Sequence, residues 1–563
     1  MNFLSINLGV NGSLTLMVNG KVMKHMSFLK LNHDLEGKKS LLTEKTLSRF
    51  LENTGVILPE LERMVMVGYD HKLIGIQDFN VVVEDIFDIP FSNYVINPNG
   101  PRRIVKSLPS LLPPYTDRPY NFISGYVVHK GISIPLMIVD PNVAYSSVGY
   151  YTSKFTKSIN VTVSSNDSNP YDGSLVTTSN SNHITVVDRP KISVGKVYTK
   201  MTELLGFGRG NENYSTIPDI SPRFNIPDEY KDIIDEGVNN RLSDLKDNYT
   251  LKLFNEITNS GVTQLYDDDS VIPYRSYMDT DHTNKFVVKM ASVTQRLIEN
   301  TVIKLIEDSI KSYSSNFTNN ITLSGDVFLN RRLNSKIMDH FKDYNVHIST
   351  LSDETSLSLG GAMYVNSLMG NRRMYDSVFI LSTSPYTQSF KNNGKEIDYK
   401  LLSEKLSKNI ISFNYKNPEC GYTTKGYTGY LFDVGSGTYE KCEDKVSRFL
   451  YEKPNLVILE DSYKKYFKDT PYTYHNNTIS TPIKPHLFKE FIHDDGTLNI
   501  FVINQNVNES LYGIIKNTDR EFIGLSNLTN KKFKPSSNIE TLFYTNSLNG
   551  AIDLIIDDKT HFN

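Results

Sequence analysis

Residues 321–364 read ITLSGDVFLNRRLNSKIMDHFKDYNVHISTLSDETSLSLGGAMY, and their pattern predicts a strand, a helix, a strand and a helix. The first strand, Ile321–Leu323, ends at Ser324-Gly325, and Tyr344–Ile348 forms the second. Between them, apolar residues recur at helical spacing and predict one helix: Val327, Leu329, Leu333 and Ile337. A strand that runs through Ser-Gly into a helix can hold a phosphate, because backbone N–H groups and the helix dipole face the ligand.

The second predicted helix of this stretch begins after Asp353 and contains two adjacent glycines, Gly360 and Gly361. Glycines inside a helix allow another backbone to approach closely. An ordinary α/β packing unit and one edge of a nucleotide site both fit the pattern. Both interpretations stay open on these residues alone.

The length and composition of the chain indicate several globular domains without a strong overall charge. Its 563 residues suffice for about two to four domains with their own cores. The formal net charge is −3, so no global field attracts nucleic acid or an anionic membrane. The two cysteines, Cys420 and Cys442, have no metal-ligand spacing, and nothing requires them to pair. We find no signal peptide and no apolar run of transmembrane length, and we expect a soluble cytoplasmic protein.

The first 67 residues predict a meander of three strands, then a helix and a further strand. Residues 3–26 alternate between apolar and polar around turns at Val10-Asn11-Gly12 and at Asn19-Gly20, a strong hairpin signal. A helix is predicted over 43–54 and a strand over Arg63–Val67. This order is similar to the beginning of the actin-like ATPase fold.

The remaining elements are less regular, and the character of the chain changes after Gly370. A strand is predicted over Ile132–Val139 and a long amphipathic helix over Lys285–Ile310. The glycines of Gly206–Gly210 match no P-loop, because no Lys-Ser/Thr follows, and a helix C-cap is favoured there. We place a domain boundary after residue 370.

Several motifs, taken in order along the chain, resemble the O-carbamoyltransferases of nodulation-factor and antibiotic biosynthesis. The matching segments are Asn32-His33-Asp34 for a Lys-His-Asp element, SGDVFLN (324–330) for Gly-Gly-x-x-x-Asn, LSDETSLSLGGAMY (351–364) for Gly-Asp-x-Gly-x-x-x-Gly-Ala-Ala, and DGTLN (495–499) for Asp-Gly-Thr-x-Arg. The resemblance covers nearly the whole chain. It implies an α/β protein with a two-lobed actin-like N-terminal domain over 1–370 and a smaller α/β carbamoyltransferase-type domain over 371–563.

The resemblance also implies a set of site residues, two cofactors and an oligomeric state. The residues are, by role, His33 and Asp34 for catalysis; Ser324, Gly325, Asn330, Gly360 and Gly361 for the nucleotide cleft; Lys425, Lys453 and Asn530 for the carbamoyl-phosphate side; and Asp353 for a metal. The implied cofactors are ATP and a divalent metal, and the implied assembly is a homodimer. Two plainer interpretations stay open: His33 and Asp34 as a polar turn, and Asp353 as a helix N-cap.

Other positions depart from the family's pattern. A His-His-x-x-His metal stretch corresponds here to Asp140–Tyr145, which has no histidine, although imidazoles suit transition metals. The family's arginine-bearing loop corresponds to Gly421–Gly429, where threonine stands at both arginine positions, and the arginine of Asp-Gly-Thr-x-Arg is Asn499. Each lost charge-assisted contact is worth roughly 1.5–3 kcal/mol. Together these losses would empty a phosphate site.

Two hypotheses of function follow. The first is a carbamoyltransferase-like protein with degraded metal, nucleotide and carbamoyl-phosphate sites, acting as a non-catalytic binding or structural subunit. The alternative is an active ATP-dependent O-carbamoyltransferase that moves a carbamoyl group to a hydroxyl of a sugar or modified nucleotide. In the alternative, Lys425, Lys453 and Lys464 hold the substrates. A viral origin, with a hydroxylated base as the acceptor, also stays open.

Overall fold

The computed structural model describes most of the chain in separate segments. They are residues 2–8, 12–28, 42–52, 54–67, 74–83, 94–96, 121–165, 173–181, 183–190, 194–205, 213–223, 226, 230–239, 285–313, 319–370, 395–414, 428–439, 453–467, 471–472, 478–526, 554–556 and 559–561. No helix within these segments is long and apolar enough to cross a membrane.

The described residues form strands and α-helices whose bounds are as follows. The strands are β1 (Asn2–Asn7), β2 (Ser13–Val18), β3 (Lys21–Ser27), β4 (Leu42–Thr43), β5 (Arg63–Val67), β6 (Ile74–Gly75), β7 (Phe79–Val83), β8 (Tyr94–Ile96), β9 (Phe122–His129), β10 (Ile132–Val139), β11 (Lys157–Val163), β12 (Ser174–Asn180), β13 (His183–Asp188), β14 (Asn320–Ser324), β15 (Asn345–Ile348), β16 (Lys395–Glu396), β17 (Ile411–Asn414), β18 (Thr428–Phe432), β19 (Asn455–Leu459), β20 (Thr478–Ser480), β21 (Leu498–Ile503), β22 (Phe522–Ser526), β23 (Leu554–Ile556) and β24 (Lys559–His561). The α-helices are α1 (Glu44–Leu51), α2 (Pro141–Tyr151), α3 (Val194–Leu204), α4 (Asn213–Ile220), α5 (Lys231–Asn239), α6 (Lys285–Tyr313), α7 (Arg331–His340), α8 (Leu357–Leu368), α9 (Tyr399–Leu406), α10 (Glu460–Tyr466) and α11 (Glu509–Asn517).

The first sheet begins with the predicted meander. Its strand order is β3-β2-β1-β5-β10-β9-β7-β8, with β1, β5 and β10 mutually parallel and the other neighbours antiparallel. The turn between β2 and β3 has positive φ at both central residues, 51° at Asn19 and 71° at Gly20. This is the geometry that an Asn-Gly hairpin turn adopts. The hairpin prediction is therefore confirmed.

The second sheet repeats the connectivity of the first. Its order is β13-β12-β11-β14-β15, in which an antiparallel meander of three strands is followed by two parallel strands. In each sheet, the last parallel strand leads into a helix, α2 after β10 and α8 after β15. Two copies of one strand-and-helix topology are the arrangement expected of a two-lobed actin-like fold, and the predicted α/β fold class is confirmed.

The two closing helices of these repeats pack against each other and against the sheets. Helix α8 lies on β1, β2 and β5, whereas α2 lies on β11, β12 and β14. One apolar core lies on one face of the first sheet and includes Leu4, Phe50 and Ile138. Another core joins the opposite face of that sheet to α2 and α8 through Val65, Ala144 and Val365. Burying both faces of the sheet stabilises this part of the chain.

The C-terminal residues form a third sheet with its own core. Its nine strands have the order β16-β24-β23-β17-β18-β22-β19-β21-β20. A continuous cluster of aromatic and aliphatic side chains covers it, including Phe432, Tyr463, Phe488 and Ile500. The described segments therefore contain both helices and sheets in each part of the chain.

The chain divides into two compact units. Unit 1 comprises Met1–Lys191, Ser309–Asp326 and Asn345–Ser382, and unit 2 comprises Ile192–Asp308, Val327–Tyr344 and Thr383–Asn563. Both actin-like sheets lie in unit 1, and the nine-stranded sheet lies in unit 2. The predicted domain boundary after residue 370 stays a prediction.

Candidate functional site

Four predicted site residues lie outside the described residues: His33, Asp34, Lys425 and Asn530. The other seven lie within them: Ser324, Gly325, Asn330, Asp353, Gly360, Gly361 and Lys453. Five of these seven belong to unit 1, whereas Asn330 and Lys453 belong to unit 2.

Ser324 and Gly325 form the turn at the end of β14. The φ of Gly325 is +103°, and a Cβ there would lie 2.2 Å from the carbonyl oxygen of Val163. Only glycine fits such a position. The Ser324 hydroxyl is buried, with its oxygen 3.0 Å from Thr162 Oγ1. Both residues therefore have packing roles, and a contact with a nucleotide stays a prediction.

Asp326 follows this turn and was not predicted as a site residue. Its Oδ1 accepts a hydrogen bond of 2.8 Å from the backbone N–H of Ser165, and its Oδ2 accepts one from the Ser165 hydroxyl. The carboxylate is fully buried and fastens the chain after β11 to the chain after β14. The only sequence signal was an acidic residue directly after Ser-Gly.

Gly360 and Gly361 allow α8 to approach its neighbours. A Cβ at Gly360 would lie 2.1 Å from the carbonyl oxygen of Ala144 in α2, and one at Gly361 would lie 2.4 Å from Val67 Cγ2 in β5. The close approach predicted for the paired glycines is confirmed. A helix and a strand fill the space that their missing side chains leave.

Asn330 is the N-cap of α7. Its Oδ1 accepts from the backbone N–H of Leu333 at 3.1 Å, and its Nδ2 donates to Gln295 Oε1 at 2.8 Å. Gln295 in turn donates to Glu299, which pairs with Lys336 at 2.8 Å. The side chain is fully buried in this network, which holds α7 against α6. Its polar atoms therefore have partners inside unit 2.

Asp353 has the geometry of a helix N-cap. It is 2% exposed, and its Oδ1 accepts from the backbone N–H of Thr355 at 2.9 Å and from the Thr355 hydroxyl. These bonds satisfy the first turn that leads into α8. The plainer interpretation of Asp353 is confirmed, and its role as a metal ligand stays a prediction.

Asp140 occupies the start of the stretch where the resemblance places histidines. Its Oδ1 accepts from the backbone N–H groups of Asn142 at 2.8 Å and Val143 at 3.2 Å, which caps α2. Its Oδ2 lies 3.2 Å from Arg189 Nη1. The two side chains are 3% and 6% exposed, so the ion pair is buried.

The residues present do not fit the metal centre that the resemblance implies. Both oxygens of Asp140 already have partners, and the guanidinium beside it carries a permanent positive charge. Within the described segments, no group of three or more His, Cys, Asp or Glu side chains is arranged to hold a metal ion. A second cation at Asp140 would be repelled by Arg189.

A polar cluster in unit 2 joins α7 to the turn that precedes strand β21. Arg332 forks onto the Asp495 carboxylate, donates to Thr497 Oγ1 at 3.2 Å, and donates to the carbonyl oxygen of Pro218. Burial alone would raise the pKa of Asp495, but the hydrogen bonds and charge of Arg332, with the hydrogen bonds of Thr497, lower it. This fork ties residues that are 163 positions apart in the sequence.

His493 lies beside that fork and is 4% exposed. Burial, and next the positive charge of Arg332, lower the pKa of His493 to about 3. Its Nε2 is 4.0 Å from Asp219 Oδ1, beyond hydrogen-bond distance. The imidazole is therefore neutral at ordinary pH.

Asn499 in β21 stands where the resemblance implies an arginine, and it donates through Nδ2 to the carbonyl oxygen of Lys453 at 3.3 Å. The next strand along the sheet is β19, and its first residue, Asn455, accepts a hydrogen bond of 2.8 Å from Arg331 Nη1. The parallel register pairs Leu456 with Ile500, so Asn455 and Asn499 are neighbours. Arg331 thus places a guanidinium beside a strand position where the resemblance implies an arginine, and the sequence pattern did not predict this contact.

One protein family matches part of the chain. Residues 128–363 match the family described as the carbamoyltransferase N-terminus. The matched segment runs from the end of β9 to α8 and contains the whole second sheet, Asp140 and Asp353. No curated protein matches the chain.

Solved structures give remote similarities. An activator of the 2-hydroxyisocaproyl-CoA dehydratase from Clostridium difficile with bound ADPNP is 10% identical, with 67% of this chain and 100% of that chain covered and a TM-score of 0.32. A ROK family protein from Streptococcus pneumoniae TIGR4 is 11% identical, with 66% and 99% covered and a TM-score of 0.26. HypF in its phosphate- and nucleotide-bound form is 12% identical, with 66% and 47% covered and a TM-score of 0.28. These values are too low to bear on function.

The family match covers less than half of the 563 residues, and of the four segments that carried the resemblance it includes 324–330 and nearly all of 351–364. It does not distinguish one subfamily from another. Residues 128–363 are therefore similar to the carbamoyltransferase N-terminus, and a place for the whole chain in that family is a proposal.

Proposed function

We propose that this chain is a carbamoyltransferase-like protein that has lost metal-dependent nucleotide chemistry and acts as a binding or structural subunit. The observation that carries the proposal is the buried ion pair between Asp140 and Arg189. A guanidinium is a permanent cation, so it satisfies the carboxylate without a metal and repels a divalent ion at the same place.

The nucleotide-side residues support the same proposal. A backbone carbonyl and a valine side chain occupy the space where side chains at Gly360 and Gly361 would lie. The Ser324 hydroxyl pairs with Thr162, and Asn330 caps α7 while it binds Gln295. Selection for the fold alone would preserve each of these residues, so their presence does not require ATP.

The carbamoyl-phosphate side offers weaker support. Asn499 donates to a backbone carbonyl and carries no charge to hold a doubly charged phosphate. Lys453 keeps a charge nearby but lacks the fork of an arginine. The homodimer is a further proposal that rests on the resemblance. So is the acceptor, which matters only if the chain is active.

Metal analysis tests whether the Asp140–Arg189 ion pair takes the place of a bound metal ion. We expect the purified chain, expressed with iron, zinc and manganese supplied, to contain well below one ion per chain after dialysis, because Arg189 already neutralises Asp140. Elemental analysis by mass spectrometry measures this. One tightly held ion per chain that disappears in Asp353→Asn would contradict the proposal.

One observation favours the second candidate, an active ATP-dependent O-carbamoyltransferase. Arg331 donates to Asn455 beside Asn499, so a guanidinium from α7 reaches the strand edge where the family's arginine is missing. A phosphate bound there would be held by Arg331 in place of residue 499. Carbamoyl-phosphate-dependent turnover that Arg331→Gln abolishes is the signature of this candidate.

A further inference from the structure

A cavity of about 690 Å³ lies in unit 1 between α1 and the β9–β10 hairpin. None of the candidate site residues lines it. Its walls come from α1, from residues 56–59 that follow that helix, from Ile76 and from residues 129–134. Protein interiors contain few voids larger than a water molecule, whereas pockets of roughly 300–1,000 Å³ hold most small-molecule ligands. The volume is therefore that of a binding pocket rather than of a packing defect.

Aliphatic side chains line the buried part of this cavity. Leu47, Ile76 and Ile134 are 5%, 1% and 2% exposed. Among the described residues that form the walls, no phenyl, phenol or indole ring is present. Cavities lined by apolar side chains stay dry and take up apolar molecules. The buried part is therefore complementary to a saturated hydrocarbon.

Local contacts fix both walls of the cavity. The hydroxyl of Thr54, just after α1, donates to the carbonyl oxygen of Leu51 at 2.6 Å and accepts from the backbone N–H of Val56 at 3.2 Å. In the other wall, Lys130 and Gly131 have φ of 48° and 79°, which makes the hairpin turn a tight two-residue loop. A preformed pocket loses little binding free energy to the ordering of its own walls.

The charged side chains of the rim do not select a charged ligand. Acidic Glu44 and Glu52 and basic Lys45, Arg49 and Lys130 all line the cavity and are all exposed, so both signs of charge occur there. The aliphatic side chains below them offer no partner to a charge, and burying an unpaired charge is strongly unfavourable. An uncharged ligand fits this lining better than an ion does.

The mouth continues the aliphatic surface outward to solvent. Ile57 lies in the wall that follows α1, and Ile132 lies in the hairpin wall. Their side chains are 57% and 38% exposed. Covering them with an apolar group removes their surface from water and favours binding. A chain that reaches from the buried side chains to the mouth meets aliphatic groups at both ends.

We propose that this cavity binds an uncharged aliphatic molecule, of the class of long-chain alcohols and other neutral alkyl compounds. The alkyl chain lies against Leu47, Ile76 and Ile134, and the uncharged polar end lies at the mouth beside Ile57 and Ile132. The site is independent of the carbamoyltransferase-like function.

Calorimetric titration of the full chain with 1-hexanol and 1-octanol tests the aliphatic character of the site. We expect saturable binding at one site per chain. The affinity for 1-octanol should be about fifteenfold higher than that for 1-hexanol, because two further methylene groups leave water. Equal affinities would mean that the alkyl chain does not enter the cavity.

The position of the ligand is tested by variants at the mouth. Ile57→Glu should weaken 1-octanol about tenfold, because a charge replaces an apolar contact. Ile57→Leu keeps the aliphatic surface and should change the affinity by less than about twofold. Both changes fall on an exposed side chain, so folding is insensitive to them. A further control, Ile483→Glu at a 50% exposed position in unit 2, should leave binding unchanged.

The charge preference is tested with octanoate and octylammonium, which have the same alkyl chain as 1-octanol and opposite charges. Each should bind the natural chain at least about tenfold more weakly than 1-octanol, because the aliphatic lining cannot replace the hydration of a charged end. A preference for either ion would assign the cavity to a charged ligand instead.

Three further outcomes overturn the proposal. One is the absence of saturable 1-octanol binding. Another is equal binding of 1-octanol by the natural chain and Ile57→Glu. The third is concentration-dependent self-association in sedimentation that Ile57→Glu prevents, which would make the cavity an interface between copies.

Discussion

Asp140 and Arg189 form the residue pair on which the account depends, and their burial makes them sensitive to substitution. We expect Arg189→Met to lower the apparent free energy of unfolding by about 3 kcal/mol, because it leaves a buried carboxylate without its counter-ion. Adding Asp140→Asn should recover part of the loss, since asparagine still caps α2. Urea denaturation measures both changes.

A matched exposed pair serves as the control for that experiment. Lys408 and Glu404 pair at 2.7 Å with side chains 65% and 63% exposed. Lys408→Met should change stability by less than about 0.5 kcal/mol. If Arg189→Met were as mild as Lys408→Met, the buried ion pair would not be the structural feature that we describe.

His493 makes the stability of unit 2 depend on pH. Its folded-state pKa is about 3, whereas its unperturbed value is 6.5. The unfolded chain therefore binds the proton more readily, and the stability from the neutral ring is complete above about pH 6.5 and falls as the pH decreases toward 3. The slope is about 1.4 kcal/mol per pH unit.

A comparison of variants isolates this effect. Between pH 7 and pH 5, the natural chain should lose about 2 kcal/mol more of its unfolding free energy than His493→Gln does. Denaturant titrations at the two pH values measure the difference, and carboxylates that titrate in both proteins cancel. Equal losses would mean that His493 takes up a proton without cost in the folded state.

At the level of elements, the contact between α8 and α2 explains Gly360. We expect Gly360→Ala to destabilise the protein by about 1–3 kcal/mol, because its Cβ would overlap the carbonyl oxygen of Ala144 at 2.1 Å. Thermal denaturation of the variant, with ordered secondary structure checked by circular dichroism, measures the loss.

A second helical glycine gives the opposite expectation. A Cβ at Gly513 in α11 would meet nothing closer than 3.9 Å. Gly513→Ala should therefore stabilise by about 0.5–1 kcal/mol through helix propensity. A gain in both variants would show that α8 and α2 can separate without cost.

The elements of the decisive stretch were largely predictable from its periodicity. The strand predicted over Tyr344–Ile348 is Asn345–Ile348, and the helix predicted after Asp353 begins at Leu357 behind a short 3₁₀ turn, Glu354–Ser356. Local hydrophobic spacing determines such elements because side chains that share a face share a core.

One helix of that stretch was predicted wrongly. The apolar spacing from Val327 to Ile337 predicted a continuous helix, but a 3₁₀ turn, Asp326–Leu329, precedes α7. Asn330 causes the break, since its side chain caps the first turn of α7 and donates a hydrogen bond to Gln295 of α6. Apolar periodicity does not register a polar cap inside an apolar pattern.

The site was less predictable than the fold because its contacts are long-range. Arg332 and Asp495 are 163 residues apart, and Arg331 and Asn455 are 124 apart. Arg189 was not predicted as the partner of Asp140, because 49 residues separate the two in the sequence. No local pattern encodes such pairs. The roles of His33, Asp34, Lys425 and Asn530, outside the described residues, stay predictions.

At the level of the whole molecule, we propose that a carbamoyltransferase-like scaffold persists without its chemistry. The meander and parallel strands of the first sheet recur in the second, and residues 128–363 match the carbamoyltransferase N-terminus. Within that segment, a salt bridge joins Asp140 to Arg189, and packing contacts surround Gly360. Arg331 is the residue that most favours retained activity.

A turnover assay tests most directly the central claim, which is that the chain no longer carries out ATP-dependent carbamoyl transfer. Purified full-length chain is incubated with carbamoyl phosphate, labelled ATP and divalent metal, and the release of AMP and pyrophosphate is followed beside Arg331→Gln. The account predicts no release above the protein-free control and no ATP-dependent rise in melting temperature. Sustained pyrophosphate release that requires carbamoyl phosphate and disappears in Arg331→Gln would contradict it.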